Sequence, residues 1–167
     1  CIARVKIILT RGVQKGLGLD CTEPSTIIIT AVEQHPRKQP ETIGIYPVKR
    51  TDPIAKFKSL SYTYNLLAKD WAVENGFDDA LLISAGGEIL ECTTSNIFIL
   101  RDNTLIKPLN EGHYLDGIMG KQFIQKKLDE GFDLSEVKIT SEEILETDQL
   151  IMTNSIIGAC EVRLIIN

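Results

Sequence analysis

The chain alternates short β-branched runs with polar, glycine-containing breaks and lengthens only twice into a helical repeat. RVKIILT (4–10) and STIIITAV (25–32) predict strands, and the glycines of the intervening RGVQKGLGLD argue for a loop. TIGIYPV (42–48) predicts a third strand, broken by KRTDP. Leu60, Tyr64, Leu67, Ala68 and Trp71 then fall at the spacing of one helical face, and Asn75-Gly76 closes that helix. DALLISAGGEILECTTSNIFIL (79–100) predicts two strands joined at Gly86-Gly87, and RDNTLIKP (101–108) adds a turn at Asp102-Asn103. Leu115 to Glu130 is helical again, with Ile118, Phe123, Ile124 and Leu128 apolar and Gly131 as the residue past its end. EVKIT (136–140) predicts a short strand, and Thr140 with Glu143 a capping box opening a short helix. QLIMT and ACEVRLII close the chain as strands around the turn NSIIG. Strands that follow one another through hairpins predict an α+β (mixed α/β) domain rather than a doubly wound parallel sheet.

Composition narrows the classes. The 167 residues are 43% hydrophobic, enough for a real core. Eighteen basic against 23 acidic residues give a net charge of -5 without a basic stripe, which argues against a nucleic-acid partner. No apolar run approaches the roughly 20 residues of a membrane helix, and no basic-then-apolar leader precedes the first strand, so the expectation is a cytoplasmic protein. Cys1, Cys21, Cys92 and Cys160 lack Cys-x-x-Cys spacing and have only His35 and His113 for company, so they read as reduced structural thiols with no metal site. The abrupt start on Cys1 reads either as a trimmed terminus or as a piece of something longer.

Four features could carry chemistry. Lys58 stands at the start of the first helical repeat; alone, it is also what a solvated lysine beside an amphipathic helix looks like. Glu91 lies in an apolar run and is followed by the hydroxyls Thr93, Thr94 and Ser95 and by Asn96, short polar groups that fit a mid-strand position poorly unless they bind something. YLDGIMGK (114–121) places Gly117 at a helix entrance, which either exposes N–H groups to a phosphate or simply makes a tight turn. TNSIIG (153–158) is a polar turn that either presents Ser155 to the same anion or only connects two strands. Together, an amine, a buried carboxylate, hydroxyls and a helix start are the parts needed to hold pyridoxal phosphate.

In this order, KSLSYTYN, ECTTSNIF, LDGIM and TNSIIG resemble the fold-type IV pyridoxal-phosphate enzymes, the class IV aminotransferase family, from about residue 4 to the C-terminus. The family includes branched-chain aminotransferases, D-amino acid aminotransferases and 4-amino-4-deoxychorismate lyases. The resemblance implies that Lys58 is the Schiff-base lysine and Glu91 the partner of the pyridine nitrogen. It implies that Thr94, Ser95, Leu115, Gly117, Ile118, Met119 and Ser155 bind the cofactor, Met119 through its backbone because many members have threonine there. It implies a homodimer acting on a small amino-acid-like substrate.

The same resemblance implies a D-amino acid aminotransferase-like fold with most of its small N-terminal domain absent. Residues 1–33 would be a remnant of that domain and 34–167 the large cofactor-binding domain, which favours a fragment. Gly120 departs from the family's Arg or Lys, and Lys107 from its usual threonine before Pro108. Branched-chain aminotransferases place a tyrosine five residues after the lysine, where this chain has Thr63 between Tyr62 and Tyr64. TNSIIG, Cys92, GIM and TRGVQKGLG are closer to the aminodeoxychorismate lyases, with Lys15 as the candidate for a substrate carboxylate or an ordinary surface lysine. The expected reaction is therefore release of pyruvate and 4-aminobenzoate. An aminotransferase and an inactive, binding-only domain are the alternatives.

Overall fold

The computed structural model describes residues 2–13, 16, 24–35, 38–146 and 148–166. The chain divides into two units, Cys1–Lys38 and Gln39–Asn167. The first is an antiparallel ribbon of β1 (Ala3–Leu9) and β2 (Ile27–Glu33), in unbroken register from Ala3 opposite Glu33 to Leu9 opposite Ile27. Its β-branched residues suit extended backbone, and every residue of β2 is exposed.

Among its described residues the second unit carries eight strands and two α-helices. The strands are β3 (Thr42–Ile45), β4 (Asp79–Ile83), β5 (Ile89–Cys92), β6 (Asn96–Arg101), β7 (Thr104–Pro108), β8 (Asp133–Val137), β9 (Gln149–Asn154) and β10 (Gly158–Ile165). The helices are α1 (Thr63–Glu74) and α2 (Ile118–Asp129). The sheet order is β5-β4-β3-β10-β9-β6-β7-β8. The pairs β3–β4, β3–β10 and β7–β8 are parallel and the others antiparallel, so the class is mixed α/β, as the strand pattern predicts. The Ile89 N–H donates to the Ile139 carbonyl at 2.8 Å, and Glu88 bridges to Thr140. These bonds bring the β5 edge against the chain leaving β8 and curl the sheet around its core.

Alternation along the strands assigns three apolar layers. Leu81, Ile97, Ile99, Leu150 and Met152 point into the curl. On the opposite face, Ala80 and Leu82 meet Ala68, Ala72 and Trp71 of α1, while Phe98, Leu100 and Ile151 meet Phe123 and Ile124 of α2. Cys92 and Cys160 are free, buried thiols; Cys1 and Cys21 lie outside the described residues. Among the described residues no helix is long and apolar enough to cross a membrane.

Several elements differ from the sequence expectation. The run 89–100 is two strands, because Thr93, Thr94 and Ser95 form the turn between β5 and β6 instead of standing mid-strand. The first helix begins at Thr63, so Lys58 and Leu60 belong to the preceding loop. Its buried face is turned from the predicted stripe, with Asn65, Ala68 and Ala72 inward and Leu67 56% exposed. Asn65 causes the turn, since it hydrogen-bonds inward to the Thr93 carbonyl at 2.7 Å. The second helix begins at Ile118 rather than Leu115. Pairing with β7 draws β8 upstream of the predicted EVKIT. The capping box forms, the Thr140 N–H donating to Glu143 Oε2 at 2.7 Å, but over a single 3-10 turn, Ser141–Glu143.

Phe98 is 2% exposed and its ring centroid lies 5.3 Å from that of Phe123. Phe98→Ala is expected to lower stability by about 3–5 kcal/mol in urea denaturation, through lost burial and the cavity left under α2.

Candidate active site

The most constrained group in the second unit is the Glu91 carboxylate. Its strand register places Glu91 opposite Leu82, on the sheet face that α1 covers. Arg50 reaches it from the chain after β3, Nη1 donating to Glu91 Oε1 at 2.5 Å, with the two side chains 5% and 10% exposed. Arg50 is itself held at its backbone, at Nη2 and over its face. Its backbone N–H donates to the Ile83 carbonyl at 2.9 Å, Nη2 donates to Asn65 Oδ1 at 2.7 Å, and the Tyr64 ring lies 5.1 Å from the guanidinium carbon. The Thr93 carbonyl accepts from Asn65 Nδ2 at 2.7 Å and from the Tyr62 hydroxyl at 2.5 Å. One hydrogen-bonded cluster thus joins α1, the Arg50 segment and the turn after Glu91.

Burial dominates the electrostatics. It pushes the Glu91 pKa from the ordinary 4.5 up to about 7, while Arg50, the Leu115 N–H and Lys58 pull the other way. Tyr62 is raised as well, first by burial and then by the charges of Glu91 and Asp79.

The second part of the site is the start of α2. Asn96 clamps the chain leading to it, Nδ2 donating to the Leu115 carbonyl at 2.6 Å and Oδ1 accepting the Gly117 N–H at 3.0 Å. A Cβ at Gly117 would run into that Oδ1, and one at Gly120 would crowd both Asn96 and Phe98, so both close approaches require glycine. Gly117 provides no side-chain cap, and the first internal bond runs from the Lys121 N–H to the Gly117 carbonyl at 3.1 Å. The N–H groups of Ile118, Met119 and Gly120 therefore open the helix with no partner inside it. Close by, Thr153 is 1% exposed and its Oγ1 has no hydrogen-bond partner. Thr153 stands opposite Asn96 in the β6–β9 ladder, on the strand face that carries Ile151 into the α2 cluster.

Lys58 is exposed in the loop before α1, and its charge is the last of the influences that lower the Glu91 pKa against burial, after Arg50 and Leu115. Gly117, Ile118 and Met119 follow directly along the chain. Thr94 is exposed in the turn. The Ser95 hydroxyl accepts from Asn154 Nδ2 at 2.9 Å, which ties that turn to the one where Ser155 is exposed. Lys15 lies outside the described residues. Sequence reasoning missed Arg50, Asn65 and Thr153. Asn65 left a readable signal, a polar residue inside an apolar helical stripe, whereas Arg50 sits in a segment that reads only as a strand breaker.

Comparison with known proteins places this geometry. The family model for class IV amino-transferases matches residues 2–165. A Methanocaldococcus jannaschii protein designated a branched-chain-amino-acid aminotransferase is 31% identical over 163 residues, 92% of this chain and 55% of its own length. A Legionella pneumophila protein designated a 4-amino-4-deoxychorismate lyase has a crystal structure that superposes with a TM-score of 0.83 at 27% identity, covering 98% of this chain and 62% of that one. The branched-chain aminotransferase of Thermoproteus uzoniensis shares the fold, with a TM-score of 0.85 at 21% identity over 97% of this chain and 57% of its own. The chain spans about half the length of the curated relatives it matches, 43% and 55% in two of them. With the match running through nearly every strand and both helices described above, the chain belongs to the class IV aminotransferase family.

Proposed function

We propose that this chain carries the cofactor-binding and proton-transfer groups of a lyase-type class IV enzyme, which releases pyruvate and leaves 4-aminobenzoate from aminodeoxychorismate. The observation that carries the reading is the α2 start, where Asn96 holds the 115–117 backbone and the N–H groups of 118–120 open the helix near the orphaned, buried Thr153 hydroxyl. Pyridoxal phosphate, the family's cofactor, fits the residues present. The open N–H groups at 118–120 and the orphaned Thr153 hydroxyl suit its phosphate, and Glu91 suits its ring nitrogen. On this reading residues 1–33 belong to a smaller N-terminal domain and 34–167 to the large one, and the working enzyme is a homodimer.

When bound, the cofactor supplies an electron sink for a bond broken at the substrate Cα. The chain's own groups do the rest. Lys58, exposed on a loop, has the freedom to hold the cofactor and then, as a free amine, to take the Cα proton. Glu91, held by Arg50, would face the ring nitrogen and keep a proton there. Thr63 opens α1 at the position where branched-chain aminotransferases have tyrosine, and the neighbouring Tyr62 hydroxyl is committed to the Thr93 carbonyl. These two features favour the lyase. The second reading, a branched-chain aminotransferase, is favoured by the Methanocaldococcus jannaschii relative. It would use the same residues, with Lys58 as the group that both takes and gives back the proton.

Incubation with pyridoxal phosphate, borohydride reduction and peptide mass analysis are expected to find the adduct on Lys58. Lys58→Ala should lose it with a stability change within about 0.5 kcal/mol. An adduct on another lysine overturns the assignment, and no chromophore at all supports a binding-only domain. Pyruvate formed from aminodeoxychorismate without a keto-acid acceptor supports the lyase, and amino transfer that requires the acceptor rejects it.

Glu91 also sets a pH dependence for the cofactor-free chain. Its folded pKa of about 7 lies above the ordinary 4.5, so the native state binds this proton more tightly than the unfolded chain does. The resulting stabilisation is full below about 4.5 and is lost as pH rises through about 7. It amounts to on the order of 3 kcal/mol. Unfolding midpoints of the unaltered chain minus those of Glu91→Gln should fall across that window; parallel profiles would show that Glu91 is not the group titrating.

A further inference from the structure

Lys107 departs from the family pattern and has no part in the chemistry proposed above. Its side chain on β7 is only 12% exposed and lies between two carboxylates, Asp116 Oδ1 at 3.2 Å and Glu136 Oε2 at 3.3 Å. The three groups line a cavity of about 280 Å³ under α2, together with Tyr114, Lys121 and Asn96. The Tyr114 hydroxyl donates to the Pro108 carbonyl, and its pKa is raised first by burial and then by Asp116, Glu136 and Glu91. Acidic charge therefore converges behind the α2 start from both α2's own loop and β8.

Asp116 is the member of this set whose position matters. It stands between Leu115, whose carbonyl Asn96 holds, and Gly117, the N-cap, in the same turn as the open N–H groups of 118–120. An unpaired carboxylate there would itself be drawn to the helix start and would repel a second anion arriving at it. The orphaned, buried Thr153 hydroxyl on the same face is the independent sign that an oxygen-rich ligand belongs at this start.

We propose that Lys107 is a positioning residue for the phosphate: it draws the Asp116 carboxylate toward β7 and β8 and cancels its charge, so that the α2 start accepts a phosphate monoester dianion. The proposal rests on the reading of the site as a pyridoxal-phosphate site. Lysine serves here and threonine would not, because only a cation offsets Asp116 and Glu136 together.

Affinities of the chain for pyridoxal phosphate and for pyridoxal, measured by fluorescence or absorbance titration, test it. Lys107→Met should weaken pyridoxal phosphate binding by about 5- to 20-fold, the range expected for one carboxylate acting on a dianion across a partly solvated turn. It should leave pyridoxal binding unchanged, and Lys107→Arg should keep the unaltered affinity. Adding Asp116→Asn to Lys107→Met should restore phosphate-dependent binding, whereas adding Glu136→Gln should not. Asp116→Asn alone, which leaves Lys107 paired with Glu136, should bind at least as tightly as the unaltered chain. Failure of Asp116→Asn to rescue, weakening by Asp116→Asn alone, or equal losses for pyridoxal and its phosphate would each overturn the role of Lys107. If the unaltered chain binds pyridoxal as tightly as its phosphate, α2 is not a phosphate site, and both the site reading and this proposal fall.

Discussion

The Arg50–Glu91 pair is the interaction on which the rest of the site depends. Removing two charges from water costs several kcal/mol per ion, and a buried pair recovers this only when its remaining donors and acceptors are satisfied. Here the recovery is partial: Asn65 takes the second guanidinium nitrogen and Tyr64 covers its face, yet burial still leaves the Glu91 pKa raised. Arg50 Nε is left without a partner. Tyr64 and Asn65 come from α1, Arg50 from the chain after β3 and Glu91 from β5, so the pair fixes the roll of α1 and the course of the chain after β3 at once. This is why α1 buries an asparagine and leaves Leu67 outside.

Asn96 does for the second half of the site what Arg50 does for the first. A single carboxamide satisfies a donor and an acceptor of the α2 approach, and that double bond to the 115–117 backbone leaves the next three N–H groups free. Glycines at 117 and 120 are the steric condition for so close a clamp. The Leu115 carbonyl and the Gly117 N–H are thus both held by one side chain, so displacement of Asn96 would disturb the whole approach to the helix start.

Much of this was legible in the sequence where local chemistry decides. Hairpins at Gly86-Gly87 and Asp102-Asn103 appear with positive φ at Gly87 and Asp102, and α2 ends at Gly131, also at positive φ. What stayed hidden is set by long-range partners. The hydroxyl run after Glu91 looks like an awkward strand because nothing local shows Thr93 bonding to Asp79 at 2.5 Å or Ser95 to Asn154 at 2.9 Å. Those partners make it a turn. Arg50 is hidden for the same reason, 41 residues from the carboxylate it holds. The candidate residues Lys58, Glu91 and 115–119 were readable from motif resemblance, while the side chains that orient them were not.

Charge balance gives the arrangement its direction. Within the proposed site Arg50 and Lys58 outweigh Glu91 by one positive charge, too little to hold a phosphate dianion several residues away. The remainder has to come from the α2 start, whose open N–H groups carry about half a positive charge. That fraction is easily lost to a neighbouring carboxylate, and Asp116 is such a neighbour, one residue before the N-cap. On the proposed reading, Lys107 behind the helix would act on the phosphate end of the site without touching it, as Arg50 would act on the ring end. Both ends would then be tuned by basic residues, Arg50 buried and Lys107 partly buried, whose own partners are acids of this chain and not the ligand.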